Sequence, residues 1–130
     1  MTNGFWSSGG GGYMLNSIDW NTPDKVVHDL AALFNWDVDV CSAGPNVCER
    51  FFSIEQDGLS QEWRGLCYMN PPYGRAIGKW MRKAVESIGG ATVVCLIPAR
   101  TDARWWQESV VHSSLVVFIA GRLRFSGHRW

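Results

Sequence analysis

The sequence predicts an α/β domain in which a mostly parallel sheet is flanked by helices. Apolar stretches of strand length alternate along the chain with amphipathic stretches of helical period, an order that is typical of parallel α/β folds. The stretch ATVVCLIP (91–98) is rich in β-branched residues and does not alternate with polar ones, as expected of a central parallel strand. With 130 residues, the chain is long enough for one domain with a sizeable core.

The amino-terminal part divides into an arm and a helix. Residues 1–20, which include SSGGGG, are too rich in glycine to pack a core, so we interpret them as a flexible arm before a single domain at 21–130. In NTPDKVVHDLAALF (21–34), Thr22 suits the N-cap and Pro23 the first helical position. Five apolar residues then recur at helical spacing and predict a helix up to about residue 34: Val26, Val27, Leu30, Leu33 and Phe34.

Three strand-like segments follow this helix. WDVDVC (36–41) alternates apolar or aromatic residues with aspartates before SAGPN breaks the pattern, which predicts a short strand and a turn. RFFSIE (50–55) is a further candidate, whose helical or extended character the pattern leaves open. GLCYM (65–69) is apolar and leads directly into two prolines, so we expect a buried strand there.

The second half of the chain predicts two helices and further strands. RAIGKWMRKAVESI (75–88) is amphipathic and ends at Gly89-Gly90. Its apolar face is predicted to hold Ile77, Trp80, Met81, Ala84, Val85 and Ile88, and its basic outer face Arg75, Lys79, Arg82 and Lys83. After ATVVCLIP, Thr101 is a plausible N-cap for a helix in TDARWWQESVVH (101–112). SLVVFIAG (114–121) predicts another strand, and RLRF (122–125) the start of one more.

Charge is balanced over the whole chain but not along it. Residues 1–73 hold nine acidic and three basic side chains, whereas residues 74–130 hold three acidic and nine basic ones. Zero net charge argues against a nonspecific polyanion binder, yet the basic half favours a surface that faces phosphates. A solvated basic helix face would produce the same asymmetry. The sequence shows neither a secretory signal nor an apolar run of about 20 residues, which predicts a soluble, intracellular protein.

Cysteine and histidine do not form a metal-binding pattern. The four cysteines (Cys41, Cys48, Cys67 and Cys95) include no C-x-x-C pair, and three of them lie in or beside apolar runs. We therefore expect buried thiols in a reducing compartment. The three histidines are far apart in sequence, so no metal site is predicted.

The tetrapeptide Asn70-Pro71-Pro72-Tyr73 carries the clearest chemical signal. Two consecutive prolines lack N–H donors and restrict φ to about −65°, so the tetrapeptide predicts a stiff loop. Because the loop follows a strand, it lies at the carboxyl end of the sheet, where ligands bind in open α/β folds. The motif resembles the catalytic signature of S-adenosylmethionine-dependent amino methyltransferases, which act on adenine N6 in DNA or RNA or on glutamine amides.

That resemblance implies roles for the loop. The amide oxygen of Asn70 and the carbonyl of Pro71 would each accept an N–H of the target amino group, whose lone pair is delocalised and weakly nucleophilic. Tyr73 would offer a ring face for stacking of a planar base. Pro72 contributes stiffness, which matters because a displacement of about 1 Å can cost on the order of 100-fold in rate.

Three partial motifs upstream resemble the cofactor-binding segments of the same enzymes. Thr22-Pro23 is similar to the helix start that precedes their first strand. DVCSAG (39–44) resembles the turn D-P-C-x-G-x-G, which implies that Asp39 binds the cofactor ammonium and that Cys41 and Ser42 line the site. DGL (57–59) resembles the segment whose aspartate binds the adenine amine, which assigns this role to Asp57 and places Leu59 beside the cofactor, with Asn70 at its methyl end.

Over residues 20–127 the chain resembles the phage-type DNA N-6-adenine methyltransferase (phage Dam) family. The resemblance implies a Rossmann-like fold that binds S-adenosylmethionine, releases S-adenosylhomocysteine and methylates adenine N6 of a base flipped out of double-stranded DNA, in the cytoplasm of a bacterial host. No membrane association is expected. Candidate DNA contacts are the basic and aromatic residues of the later loops and helix faces: Arg75, Arg100, Arg104, Trp105, Arg122 and Arg124. For Trp105 and Trp106, packing of the helix onto the sheet is the alternative.

Two departures from the family pattern leave alternatives open. The turn after Asp39 lacks the full glycine pattern of the family, since it contains Ser42, Ala43, Gly44 and Pro45. This difference implies that the turn binds the cofactor more weakly or with another shape. The chain also stops at Trp130, before an apolar strand that family members usually have, so we expect a compact sheet that lacks its last strand. An inactive cofactor- or DNA-binding remnant and a protein glutamine N5-methyltransferase are the competing hypotheses. The sequence predicts neither the DNA target nor the oligomeric state.

Overall fold

Three parallel strands form a sheet in the order β1-β2-β3. The structure is a computed structural model that describes residues 24–124. In it, β1 comprises Val38–Asp39, β2 Gly65–Met69 and β3 Ala91–Cys95. These strands confirm the predicted α/β class, and β2 has the bounds that the sequence predicts.

The register of the sheet brings the ends of the strands level with one another. Asp39 is opposite Tyr68 in the β1–β2 pair, and Met69 is opposite Cys95 in the β2–β3 pair. The predicted central position of ATVVCLIP is wrong, because β2 lies between the two other strands and β3 is at one side of the described sheet. Burial agrees with this order: Cys67, Tyr68 and Met69 of β2 are fully buried, whereas β3 is half-exposed.

The segment RFFSIE adds one bridge to the sheet and not a full strand. Phe51 forms an isolated parallel bridge with Asp39 on the side of β1 that faces away from β2. The N–H of Phe52 donates to the carbonyl of Asp39 at 2.9 Å, and the N–H of Asp39 donates to the carbonyl of Arg50 at 2.9 Å. These bonds pair the backbone of β1 on both sides, as a buried strand requires.

Residues 24–124 form three α-helices. They are α1 (Asp24–Leu33), α2 (Ile77–Glu86) and α3 (Arg104–Ser109), and a 3-10 turn (Val110–His112) follows α3. The predicted inner face of α2 is largely confirmed, since Ile77, Trp80, Met81 and Ala84 are buried and Val85 is half-buried. Ile88 lies beyond the end of the helix and is exposed.

Two predicted features of the helices differ in the structure. Thr101 is not an N-cap, because residues 101–103 form a turn in which the N–H of Ala103 donates to the carbonyl of Arg100, and α3 begins only after it. The helix α1 forms as predicted but has no buried residue, and Leu33 is 71% exposed. Its apolar stripe is therefore not part of the core of the described residues. Thr22, Pro23 and the glycine-rich arm lie outside the described residues.

The core is built on both faces of β2. On one face, Cys67 and Met69 belong to a buried cluster with side chains of α2 and with Trp63 and Phe52. On the other face, the ring of Tyr68 meets the edge of Trp36 with centroids 5.6 Å apart. A strand that is covered on both faces is typical of a parallel sheet, and it accounts for the unbroken apolar run in GLCYM.

The predicted strand in SLVVFIAG is wrong. Residues 114–121 have no strand pairing, and all five apolar side chains from Leu115 to Ile119 are at least 42% exposed. Within residues 24–124, no strand pairs with β3 on the side away from β2. A β-branched apolar sequence becomes a strand only where its backbone pairs with a neighbouring edge, and residues 114–121 do not pair with the outer edge of β3. Residues 122–124 are irregular, and the rest of RLRF is outside the described residues.

The four cysteines are free thiols, and Cys41 and Cys67 are buried as predicted, whereas Cys48 and Cys95 are half-buried. Burial raises the pKa of the Cys67 thiol to about 11 and that of Cys95 to about 12. Both thiols are therefore neutral at physiological pH. None of the helices in residues 24–124 has the length and apolar character needed to cross a membrane.

A close approach at Gly58 joins the loop before β2 to the end of β1. A Cβ atom at this position would overlap the carbonyl oxygen of Val40 and would lie 3.1 Å from the ring of Trp80. The carbonyl of Gly58 also accepts a hydrogen bond of 2.8 Å from the indole of Trp63. Only glycine fits this position, and the contact holds residues 57–59 against the carboxyl end of β1.

Replacement of Gly58 by alanine is expected to destabilise the fold. The methyl group would overlap the Val40 backbone, which cannot move without breaking its pairing with β2, so we expect a loss on the order of 2–3 kcal/mol. Urea unfolding followed by tryptophan fluorescence measures the change. Gly44→Ala is the matched control, because a methyl group there would have no atom within 4 Å, and it should change the midpoint little. Equal midpoints for the two variants would contradict the close approach.

Candidate active site

The predicted loop at 70–73 and the predicted turn after Asp39 lie at one edge of the sheet. Because β1 and β2 are parallel neighbours, the segments that follow them leave the sheet side by side, about 4.8 Å apart. The N–H of Val40 donates to the carbonyl of Tyr68, and the N–H of Leu96 donates to that of Met69, both at 2.9 Å. The pairing therefore continues to the last residue before the loop at 70–73.

Asp39 is the most deeply buried charged residue of the described chain, with 1% of its surface exposed. Its Oδ1 accepts a hydrogen bond of 3.1 Å from the N–H of Cys41. None of the ion pairs formed within residues 24–124 includes Asp39. Burial raises the pKa of this carboxyl group from 3.8 to about 7, and the hydrogen bond from Cys41 opposes that shift only partly. The position therefore suits a ligand that brings a positive charge.

The turn after Asp39 is held by its own polar groups. Ser42 is buried, and its hydroxyl donates to the carbonyl of Gly44 at 2.6 Å. Its N–H donates to the carbonyl of Phe52 at 3.2 Å. Cys41 is buried beside it. The serine thus organises a turn that lacks the glycines of the family pattern, and the backbone stays close to the end of β1.

The segment 57–59 lies against this turn because of Gly58. Asp57 has a positive φ of 50°, a conformation that aspartate tolerates better than most residues. Its Oδ1 accepts the N–H of Leu59 at 3.3 Å, and its carbonyl accepts the N–H of Ser60 at 2.9 Å. The carboxylate is exposed, and its role as a contact for the cofactor adenine stays a prediction.

The loop Asn70–Tyr73 continues from β2. Pro71 and Pro72 are buried, while Asn70 and Tyr73 are half-buried. The hydroxyl of Tyr73 lies 3.5 Å from Oδ1 of Asn70, at the upper limit for a hydrogen bond, so this contact is weak. The ring of Tyr73 packs against the core cluster, and burial raises the pKa of its hydroxyl, which stays protonated at all physiological pH values. The loop is anchored at both prolines and at the tyrosine ring.

The end of β3 brings the segment 96–103 to the same edge. Arg100 is exposed there, and α3 begins just beyond it with Arg104 and Trp105. Trp105 is half-buried and packs against the core cluster, and its Cβ would lie 3.6 Å from a methyl group placed on Gly78. The indole thus packs α3 onto α2 and also forms part of a surface beside the loop.

A groove between α2 and α3 opens beside residue 74, directly after the loop. Its volume is about 590 Å³, and its lining includes three arginines: Arg75, Arg82 and Arg104. The structure thus brings Arg75, Arg104 and Trp105 together. It does not place the other three predicted DNA contacts in this groove: Arg100, Arg122 and Arg124.

Sequence reasoning missed two residues that shape this edge of the sheet. Gly58 is recognised only through its contact with Val40, and a single glycine in a loop carries no such signal. Arg82 belonged to the predicted outer helix face, but in the structure it lines the groove. Its spacing of seven residues from Arg75 in the predicted helix at 75–88 is the signal that was available, and in the structure Arg75 lies just before α2.

Comparisons with known proteins find one family and two curated relatives. The sequence profile of a family described as DNA N-6-adenine-methyltransferase (Dam) matches residues 16–128. A DNA N-6-adenine-methyltransferase of Haemophilus phage HP1 is 31% identical over 105 residues, which are 77% of this chain and 61% of the relative. One of Escherichia phage T1 is 28% identical over 109 residues, which are 80% of this chain and 45% of that protein. No solved structure matches the chain significantly.

The chain thus spans about half to three-fifths of the length of these curated relatives. The matched region includes every element from α1 to α3 and the loop at 70–73. It also includes the three segments that meet at the carboxyl edge of the sheet.

Replacement of Asp39 by asparagine is expected to stabilise the ligand-free protein above neutral pH. The carboxyl group stays protonated in the folded protein up to about pH 7 but ionises above about pH 3.8 when unfolded, so stability is lost as the pH rises through this window. The amide retains an oxygen for the Cys41 N–H and has no charge to bury. We therefore expect a gain on the order of 2–4 kcal/mol at pH 8, and little difference at about pH 3.5.

Urea unfolding at several pH values tests this expectation. The exposed Asp102→Asn is the matched control and should follow the wild-type curve throughout. A constant difference between wild type and Asp39→Asn over the whole pH range would show that the carboxyl group does not titrate as the structure indicates.

Proposed function

The chain belongs to the DNA N-6-adenine-methyltransferase (Dam) family, and we propose that it transfers a methyl group from S-adenosylmethionine to N6 of adenine in DNA. One observation carries the proposal beyond family membership. The Asn70–Tyr73 loop and the buried carboxylate of Asp39 leave neighbouring parallel strands at the same edge of the sheet. An acceptor for an amino group and a site for a cation are thereby adjacent.

The loop accounts for selection of an amino nitrogen as the nucleophile. The side-chain oxygen of Asn70 and the backbone carbonyl of Pro71 can only accept hydrogen bonds, so they favour a group that carries two N–H donors. Positive charge develops on this nitrogen during methyl transfer, which strengthens both hydrogen bonds in the transition state. Because Pro71 and Pro72 are buried, the acceptors are held in place before the substrate arrives.

Tyr73 acts through its ring in this proposal. Its ring, which is packed against the core on one side, offers the other part to the target base for stacking. Its hydroxyl makes only a weak contact of 3.5 Å with Asn70 Oδ1, which a substrate N–H can displace. The high pKa of the hydroxyl means that it acts as a hydrogen-bond donor and not as a base.

The cofactor would be held by the segments next to this loop. When bound, S-adenosylmethionine supplies an electrophilic methyl group on a positively charged sulfur. Asp39 fits its ammonium group, since the buried carboxylate has no cationic partner among residues 24–124. The turn at Cys41 and Ser42 would enclose the amino-acid part, and Asp57 with Leu59 would contact the adenosine. Thr22 and Pro23 are also proposed to contribute to the cofactor site.

The remaining parts of the proposal concern the chain as a whole. We assign residues 21–130 to one methyltransferase domain with a Rossmann-like, cofactor-binding arrangement of its sheet. Double-stranded DNA is the proposed substrate, and Arg100, Arg122 and Arg124 are proposed to add phosphate contacts outside the groove. The two phage relatives support action in the cytoplasm of an infected bacterium, where such DNA lies.

A prediction for Asn70 tests the proposed reaction. Asn70→Ala should leave the affinity for S-adenosylhomocysteine within a few-fold and lower the methyl-transfer rate about 100- to 1,000-fold, because it removes a transition-state acceptor. Tyr73→Phe should keep much of the activity, since the ring remains, whereas Tyr73→Ala should weaken capture of the base by about 1–3 kcal/mol. Asn35→Ala, in the exposed loop after α1, is the matched control and should keep the full rate.

The assay is incorporation of tritiated methyl groups into DNA, RNA and protein in parallel, with mass spectrometry of the digested products. N6-methyladenine from DNA is the expected product. A methyl group found only on glutamine would support the protein methyltransferase alternative, and cofactor binding without any transfer would indicate an inactive remnant. A near wild-type rate for Asn70→Ala would contradict the role of the loop.

A further prediction concerns the dependence of cofactor affinity on pH. The pKa of Asp39 is about 7 in the ligand-free protein, and the ammonium of the cofactor binds the ionised form, so affinity should fall about tenfold from pH 8 to pH 6. Calorimetry with S-adenosylhomocysteine measures this dependence. Asp39→Asn should bind weakly at both pH values and lose the dependence. Asp57→Asn should bind about tenfold more weakly but keep the slope, since Asp57 is exposed. A flat wild-type profile would remove Asp39 from the ammonium site.

A further inference from the structure

We infer that the groove between α2 and α3 binds the phosphodiester backbone of the DNA strand beside the reacting base, with Arg82 as a contact residue. The inference rests on the proposed function, because it takes DNA as the substrate and residues 70–73 as the reacting centre. It adds a path for the strand across the surface of the protein. The name arginine groove denotes the cavity lined by Arg75, Arg82, Arg104, Trp105 and Glu108.

The position of the arginine groove connects it to the catalytic loop. Gly74 and Arg75 line its mouth, and they follow Tyr73 without a break. A strand whose base stacks at Tyr73 must have its sugar and phosphates within a few ångströms of that loop. The cofactor segments 39–42 and 57–59 share no lining residue with the groove. The two ligands therefore have separate surfaces on either side of the loop.

Charge complementarity identifies a phosphate backbone as the occupant. Three arginines and one carboxylate line the groove, so it has a net positive charge. Within residues 24–124, neither Arg75 nor Arg82 forms an ion pair. A guanidinium group presents a planar fork of donors that matches two phosphate oxygens, and arginine is the usual residue for phosphate recognition.

The apolar part of the arginine groove also suits a nucleotide strand. Ile77, Val85 and Trp105 contribute lining between the charged side chains. A deoxyribose has a largely apolar surface, and an indole ring is a suitable neighbour for a sugar or a base.

Glu108 provides the sharpest test because its negative charge repels the proposed phosphate ligand. Its Oε1 accepts a hydrogen bond of 2.6 Å from Nε of Arg104, one helical turn earlier in α3. Both side chains are at least half exposed, so this surface pair contributes little to folding. If phosphates enter the groove, removal of the carboxylate frees Arg104 and removes a repulsion. A role limited to helix stability would have no such effect on DNA binding.

The experiment measures binding of a fluorescent DNA duplex by anisotropy over a series of salt concentrations, with S-adenosylhomocysteine present. Arg82→Ala should weaken binding about five- to tenfold at low salt and reduce the slope of log K against log salt by about 1. Arg82→Lys should restore most of the slope. Glu108→Gln should tighten binding a few-fold. Arg64→Ala is the matched control, because Arg64 is exposed, is paired with Glu62 and precedes β2 at the opposite edge of the sheet.

Several outcomes would overturn the inference. The first is an unchanged affinity and slope for Arg82→Ala, and the second is weaker DNA binding by Glu108→Gln. Equal losses in Arg82→Ala and Arg64→Ala would show a general charge effect. A phosphopeptide of matched charge that binds as tightly, and depends equally on Arg82, would identify a site for polyanions and not for DNA.

The proposed function can fail independently of the groove. DNA binding with the expected dependence on Arg82, but with no N6-methyladenine formed by the wild-type protein, would support the groove and reject the reaction. Methylation that proceeds normally while Arg82→Ala leaves binding unchanged would support the reaction and reject the groove. A calorimetric cofactor affinity that is unchanged in Arg82→Ala and Glu108→Gln confirms that each variant has kept its fold.

Discussion

Backbone hydrogen bonds between β2 and its two parallel neighbours decide where the loops that follow the three strands begin. The register aligns Asp39 with Tyr68 and Met69 with Cys95, so the chain leaves all three strands at nearly the same level. The burial of β2 on both faces maintains this register, because a shift by one residue would turn Tyr68 into the α2 cluster and Met69 toward Trp36. Gly58 then holds a fourth segment against the end of β1.

This arrangement places a thermodynamic cost at Asp39. A carboxylate in a buried position without a cation destabilises the ligand-free fold, and a raised pKa is the sign of that cost. A cationic ligand at Asp39 would offset the cost, so binding and stability are coupled there. Active sites commonly retain polar groups that are unfavourable for folding, and this residue fits that pattern.

The loop at 70–73 separates two surfaces of different chemistry. On the β1 side are the buried acid, the serine-supported turn and Asp57, which together suit a small cationic molecule. On the side of α2 and α3 are three arginines and Trp105, which suit a polyanionic strand. Acidic residues from the first half of the sequence and arginines from the second half therefore lie on different sides of this loop. Transfer of a group between two ligands needs such a division, since each must reach the same loop from its own side.

The sequence by itself determined the α/β class, the bounds of β2, the inner face of α2 and the stiffness of the loop. Each of these depends on local chemistry: apolar period, β-branched content or proline. Only the tertiary structure decided the features that depend on contacts between residues distant along the chain. LVVFI has the composition of a strand, yet it stays exposed because its backbone pairs neither with the outer edge of β3 nor with another described strand. The glycine at 58 and the arginine at 82 acquire their roles only from Val40 and α3, which lie close in space but distant along the chain.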